Sequence, residues 1–293
     1  MNCPKHPQYR GKSKPRVSCD TCQLIYDTRV LTDQNSILKK QLSEANRPQK
    51  IDIHQFSGSE ITIGYLSDTH LGSLYERPHF VKAAYEIFRK EGIKNVYHSG
   101  DMCDGEKMHR GQEYEIKYQG ADAQIKNVIK IYPHIKGIKT FFITGNHDLS
   151  FYKNAGVDIG DIISSYREDM IYLGQEEADI PFKNNNGKII LRLLHPGGGT
   201  AYAISYKSQK YIESLTGGEK PNIIFSGHYH KSEYIFYRNI HFIQGGTLQA
   251  QTPFMRRQNI AAMMGFWIVS FVINRNSVTR FRQEFFPFFE RRG

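Results

Sequence analysis

The stretch Ile61-Thr-Ile-Gly-Tyr-Leu-Ser-Asp68-Thr-His70 decides the fold. Its apolar start has the composition of a buried strand, and it runs straight into two side chains that bind metals. The same sequence of events recurs four times. Residues 95–98 lead into Gly100-Asp101-Met-Cys-Asp104, and 140–144 into Gly145-Asn146-His147-Asp148. Residues 188–194 lead into His195, and 222–226 into Gly227-His228-Tyr-His230. Ligands in open α/β sheets gather beyond the carboxyl ends of strands, so five strand ends would bring these distant residues into one cleft. Helical patterns at 78–90 and 121–132 separate the early strands, whereas strands at 170–173, 239–244 and 265–272 dominate later. The pattern predicts α/β units followed by a more antiparallel half.

The ligand types narrow the chemistry. Carboxylate, amide carbonyl and imidazole suit manganese first, with iron or zinc as alternatives. Asp68, His70, Asp101, Asn146, His195, His228 and His230 suffice for two ions with one bridging carboxylate. Such ions, about 3.5–4 Å apart, clamp a phosphate and activate a water against it. Gly100, Gly145 and Gly227 each precede a ligand, where a tight turn is useful. Cys103 is expected to be an inert packed thiol. The remaining histidines are expected in surface or packing roles, with His98 and His109 nearest the motifs.

The ordered set D-x-H, G-D-x-x-D, G-N-H-D, H and G-H-x-H resembles that of the calcineurin-like metallophosphoesterases over roughly residues 60–250. The resemblance implies an α/β fold, a two-sheet sandwich flanked by helices. It implies Asp68, His70 and His230 on one metal, Asn146, His195 and His228 on the other, and Asp101 bridging. It makes His147 the catalytic histidine, with Asp148 orienting it and Asp104 behind the ligands. The implied nucleophile is a hydroxide held between the two ions. Asp148 stands where the Ser/Thr protein phosphatases of the superfamily typically carry Glu, which leans toward phosphodiesterases and nucleases.

The N-terminus reads differently. Cys3-Pro-Lys-His6 and Cys19-Asp-Thr-Cys22 are two knuckles with two residues between ligands, a spacing and donor set suited to one structural zinc ion. The predicted organisation is a zinc knuckle over 1–26, a helical linker over 27–50 and the phosphoesterase domain over 51–293. Apolar positions Val30, Leu31, Ile37, Leu38 and Leu42 mark the linker helix, and Asn46-Arg-Pro48 would stop it.

Charge bears on the partner. The 293 residues carry a net charge of +10, concentrated at the ends. Residues 1–50 hold 10 Lys+Arg against 4 Asp+Glu, and residues 255–293 hold 7 against 2. Basic ends favour a polyanion, with Lys5, Arg10, Lys12, Lys14, Arg16, Arg256 and Arg257 as candidate contacts and Tyr9 and Tyr26 as candidate stacking rings. The first expectation is therefore a nuclease or other nucleic-acid phosphodiesterase, with DNA and RNA both open. A phosphodiesterase or phosphatase for small nucleotides is the alternative. From another class comes a nucleic-acid or partner-binding module with secondary hydrolysis. The first 23 residues are polar and basic without an apolar core, and 261–273 is too short to span a bilayer. The expectation is a soluble cytoplasmic protein.

Overall fold

A computed structural model describes residues 3–45 and 51–290. The chain divides into two units, Met1–Pro48 and Gln49–Gly293.

In the first unit, helix α1 spans Asp20–Ala45. It starts between Cys19 and Cys22, so the second knuckle forms its first turn and the boundary expected at residue 26 falls inside a helix. The side chains of Ile37, Leu38 and Leu42, and the stop at 46–48, lie outside the described residues. A small core of Cys3, Cys22 and Ile25, with Tyr9 and Cys19 packed against it, holds the unit. Tyr9 is partly buried, and its hydroxyl donates to the Ser13 carbonyl at 2.5 Å.

The second unit runs β1 (His54–Gln55), β2 (Glu60–Leu66), α2 (Pro78–Lys90), β3 (Asn95–Ser99), α3 (Ala121–Ile131), β4 (Lys139–Thr144), α4 (Leu149–Ala155), α5 (Ile159–Tyr166) and β5 (Met170–Gln175). It continues through β6 (Glu177–Asn184), β7 (Gly187–Leu194), α6 (Tyr206–Ser214), β8 (Ile223–Ser226), β9 (Ser232–Tyr237), β10 (Ile240–Gly245), α7 (Pro253–Arg257), β11 (Gly265–Asn274) and β12 (Ser277–Pro287). The strands form two six-stranded mixed sheets, β12-β11-β2-β3-β4-β5 and β1-β6-β7-β8-β10-β9. This is the α/β sandwich that the resemblance implied.

Alternation explains the layers. Ile61, Ile63 and Tyr65 on β2 point between the sheets and meet Phe182, Phe225 and Phe271. The opposite face of the first sheet packs Val96, Phe142 and Phe266 against α2, α3 and α5. On α2, Val81, Ala84, Tyr85 and Phe88 are buried, the i, i+3, i+4, i+7 stripe of a helix with one inward face. A smaller apolar cluster joins Ile212 of α6 to Ile224 and Phe242.

β2, β3 and β4 are mutually parallel, as are β7 and β8. Their carboxyl ends therefore point the same way within each sheet, and the site draws on both. The buried Tyr65 hydroxyl ties the sheets there, donating to the Ser226 carbonyl at 2.8 Å and lying 2.8 Å from Ser99 Oγ.

Candidate metal centre

Five ligand-bearing residues that leave these strands hold left-handed backbone: Asp68 (φ 53°), His70 (43°), Asp101 (55°), His228 (81°) and His230 (54°). Non-glycine residues avoid this region, and its cost concentrates at functional sites. Hydrogen bonds between turns hold the conformation. His228 N–H donates to both Asp68 oxygens at 3.0 and 3.1 Å, and His147 N–H donates to Asp101 Oδ1 at 2.9 Å. The turns also need glycine. A Cβ on Gly100 (φ 91°) would lie 2.5 Å from His195 Nδ1, and one on Gly145 would lie 2.6 Å from His195 Cε1.

The main chain fixes the tautomers. His195 Nδ1 lies 2.7 Å from the Ser99 carbonyl and must donate to it, which leaves Nε2 as a lone pair. That lone pair faces Asn146 Oδ1 at 2.9 Å and Asp101 Oδ2 at 3.1 Å. His228 Nε2 donates to the Gly198 carbonyl at 2.7 Å, so its Nδ1 lone pair faces Asn146 Oδ1 at 2.8 Å. With neutral imidazoles four acceptors thus converge, an arrangement that repels itself unless a proton or a metal ion sits between.

A second group adjoins it. His70 Nε2 lies 3.1 Å from His230 Nε2, and Asp68 Oδ1 lies 3.9 and 3.4 Å from the two rings. Asp104 Oδ1 stands 3.3 Å from His70 Nδ1 and accepts from Gln249 Nε2 at 3.1 Å. Asp101 Oδ2 is also 3.9 Å from His70 Nε2, which places Asp101 between the groups. The donor types, with the Nδ1 atoms of His70 and His230 buried and without a hydrogen-bond partner, fit divalent ions.

The electrostatics point the same way. Burial opposes a charge on Asp101, but His195, His147 and His70 outweigh it and hold the carboxyl well below its usual range. Burial would likewise lower His195, yet Asp101 and Asp68 carry it up to about 10. The field that holds a proton there would hold a metal ion in its place. Burial keeps His228 down at about 4. For His147 burial is outweighed by Asp101 and Asp104, which raise it.

His147 lines the cleft, with Nδ1 2.5 Å from the Asp104 main-chain carbonyl. That carbonyl orients the ring. Asp148, expected to do so, instead accepts from the main-chain N–H groups of Met102, Cys103 and Gly145 at 3.1, 2.8 and 2.9 Å. Its carboxylate is spent clamping the turns after β3 and β4 together. Cys103 is fully buried, and burial pushes its thiol well up. Gln249 and the carbonyls of Ser99 and Gly198 escaped the sequence analysis. A main-chain acceptor has no residue signature, and Gln249 sits in no motif.

In the first unit, Cys3 Sγ lies 3.6 Å from His6 Nδ1 and 3.7 Å from Cys19 Sγ, and Cys22 Sγ lies 3.3 Å from His6 Nδ1. A tetrahedral ion with ordinary Zn–S and Zn–N bonds gives edges of about 3.8 Å for S–S and about 3.6 Å for S–N. All four cysteines are free thiols. Lys5, Arg10, Lys12, Lys14 and Arg16 are exposed around this cluster, as are Arg256 and Arg257 on α7 of the second unit.

Residues 61–264 match the calcineurin-like phosphoesterase superfamily domain. The chain is similar to the DNA polymerase II small subunit of Methanothermobacter thermautotrophicus, 24% identical over 253 residues that cover 70% of this chain and 51% of that one. It is also similar to the protein of that name from Archaeoglobus fulgidus, 27% identical over 255 residues covering 69% and 49%. It spans about half the length of the curated relatives it matches. Among solved structures it is similar to an archaeal phosphodiesterase, with a TM-score of 0.42 and 16% identity over 77% of this chain and 100% of that one. A phosphoesterase from E. coli gives 0.41 and 14% over 76% and 98%.

Proposed function

The chain belongs to the calcineurin-like phosphoesterase superfamily, and from that premise we propose that it is a phosphodiesterase acting on nucleic acid with two divalent ions. One observation carries the reading: the lone pairs of Asn146, His195 and His228 converge beside those of Asp68, His70 and His230, with Asp101 between them. The first three would hold one ion, the second three the other, and Asp101 would bridge. When bound, the ions would lower the pKa of an attacking water and neutralise the phosphoryl oxygens. The carbonyls of Ser99 and Gly198 keep His195 Nε2 and His228 Nδ1 aimed inward. His147, held through Nδ1, offers Nε2 to the phosphoryl group or the leaving oxygen, as hydrogen-bond donor or proton source. Asp148 acts through the main chain that carries Asp101 and His147.

Two facts support nucleic acid as the substrate. Both ends of the chain are strongly basic, and the relatives at 24–27% identity are named as subunits of a DNA polymerase. Manganese is the first candidate metal, with iron or zinc as alternatives. The edge lengths around Cys3, His6, Cys19 and Cys22 support a separate structural zinc.

The test is Mn²⁺-dependent hydrolysis of labelled single- and double-stranded DNA and RNA beside bis-p-nitrophenyl phosphate, using wild type, Asp101→Asn and His147→Ala. The expected result is polymer cleavage that Asp101→Asn abolishes together with metal binding. His147→Ala should keep its metal and lose about 10²–10⁴ in turnover. Turnover of the small diester alone would move the substrate to small nucleotides.

A further inference from the structure

The cleft over the ligand cluster, about 270 Å³, does not end with polar groups. Part of its lining is apolar or aromatic: Met108 and His109, after β3, and Phe254, Met255 and Ile260, on and after α7. The rings of His109 and Phe254 stack with centroids 4.1 Å apart and planes inclined by 15°.

Both segments are anchored. The His109 ring lies 3.3 Å from the Arg110 carbonyl and 3.9 Å from the Glu115 carboxylate. Thr252 Oγ1 accepts from Met255 N–H at 3.2 Å, and Gln251 Nε2 donates to the Ile260 carbonyl at 2.8 Å. Each segment is thus braced within itself, and the two meet at the His109–Phe254 stack.

Hydrolysis of a phosphate gives no use for such a wall, since charge and hydrogen bonds recognise phosphate. A flat ring attached to the phosphate does use it, because stacking on aromatic side chains holds nucleobases whatever their identity. Resting on the reading that the site cleaves nucleic acid, we infer that the His109–Phe254 wall seats the nucleobase next to the scissile phosphate. A cleft of this volume takes one base and its phosphate, so the base enters unpaired and unstacked. Arg256 and Arg257 are exposed on α7 and directly follow Phe254 and Met255 in the chain.

The experiment compares two probes on the full Mn²⁺-loaded chain. One is the thymidine dinucleoside monophosphate; the other is the same diester with both bases replaced by tetrahydrofuran abasic residues. Wild type should prefer the base-bearing diester by about tenfold or more in kcat/KM. Phe254→Ala should erase most of that preference, and Phe254→Trp should keep it, which guards against a folding defect. A wild type indifferent to the bases, or a Phe254→Ala enzyme that retains the preference, overturns the subsite. Hydrolysis of neither probe by a chain that does cleave labelled polymer overturns the subsite alone; failure on polymer and bis-p-nitrophenyl phosphate as well overturns the phosphodiesterase reading.

Discussion

Asp148 shows how a residue can belong to a motif without doing what its neighbours do. Its carboxylate faces three main-chain N–H groups, two of them more than forty residues away. Removing it leaves three buried donors unpaired, each costing about 1–3 kcal/mol. Asp148→Ala should therefore lower the unfolding free energy by about 3 kcal/mol or more, read by denaturant titration. A carboxylate that only steered His147 would cost activity and leave stability almost unchanged. The seven candidate ligands were legible as a set because each follows an apolar strand and its side chain type is one that binds metals. Asp148's partners are main-chain groups, so nothing in its surroundings in sequence pointed to them. The left-handed backbone at Asp68, His70, Asp101, His228 and His230 was equally hidden, since local preference argues against it and tertiary bonds impose it.

Strands with apolar runs were legible as elements, and those with mixed faces were not. β2, β3, β4, β7, β8 and β11 bury most of their residues and read plainly. β9 and β12 lie at sheet edges and carry exposed polar residues, which dilutes the apolar signal. β6 contains Pro181, a strand-breaking signal tolerated near an open edge: β1 pairs only with Phe182 and Lys183.

β3 also carries a cost that depends on pH. His98 is fully buried, near Thr69 Oγ1 at 3.3 Å, and burial lowers it to about 3. The unfolded chain takes that proton near pH 6.5, so between about 6.5 and 3 the unfolded state binds more protons. His98's share of stability is intact above pH 6.5 and is lost as pH falls, at up to about 1.4 kcal/mol per pH unit. Denaturant titrations from pH 7 to pH 5 should show a shallower decline in His98→Leu. An identical slope would place the acid sensitivity elsewhere.

At the scale of the whole molecule, the two-sheet sandwich was legible only through resemblance, because strand order across two sheets leaves no local pattern. The N-terminal unit was legible from four residues, and it divides from the rest at Pro48. Among the described residues its apolar core is three buried residues, a small core of the kind a metal staple supplements. Cys22→Ser should therefore lose one bound zinc and make residues 3–22 sensitive to protease, while the second unit melts at its wild-type temperature. A joint shift of both units would argue that they fold as one.

The same division makes the role of charge measurable. Residues 1–48 hold 9 Lys+Arg against 4 Asp+Glu, so removing them halves the net charge from +10 to +5. Nucleic-acid affinity falls with salt in proportion to the phosphates neutralised, by about 0.9 in log–log slope per contact on duplex DNA and about 0.7 on a single strand. If Lys5, Arg10, Lys12, Lys14 and Arg16 lie along a backbone, residues 49–293 alone should show a slope smaller by that amount for each cation engaged. The turnover number on bis-p-nitrophenyl phosphate should not change, since no ligand of the metal centre lies before residue 68. Reduced slope with intact small-diester turnover would make the first unit a substrate platform and the second the catalyst. An unchanged slope would leave the polymer to the second unit, whose own basic end carries Arg256 and Arg257 exposed on α7. The exposed cations of the zinc unit would then await an acidic protein surface.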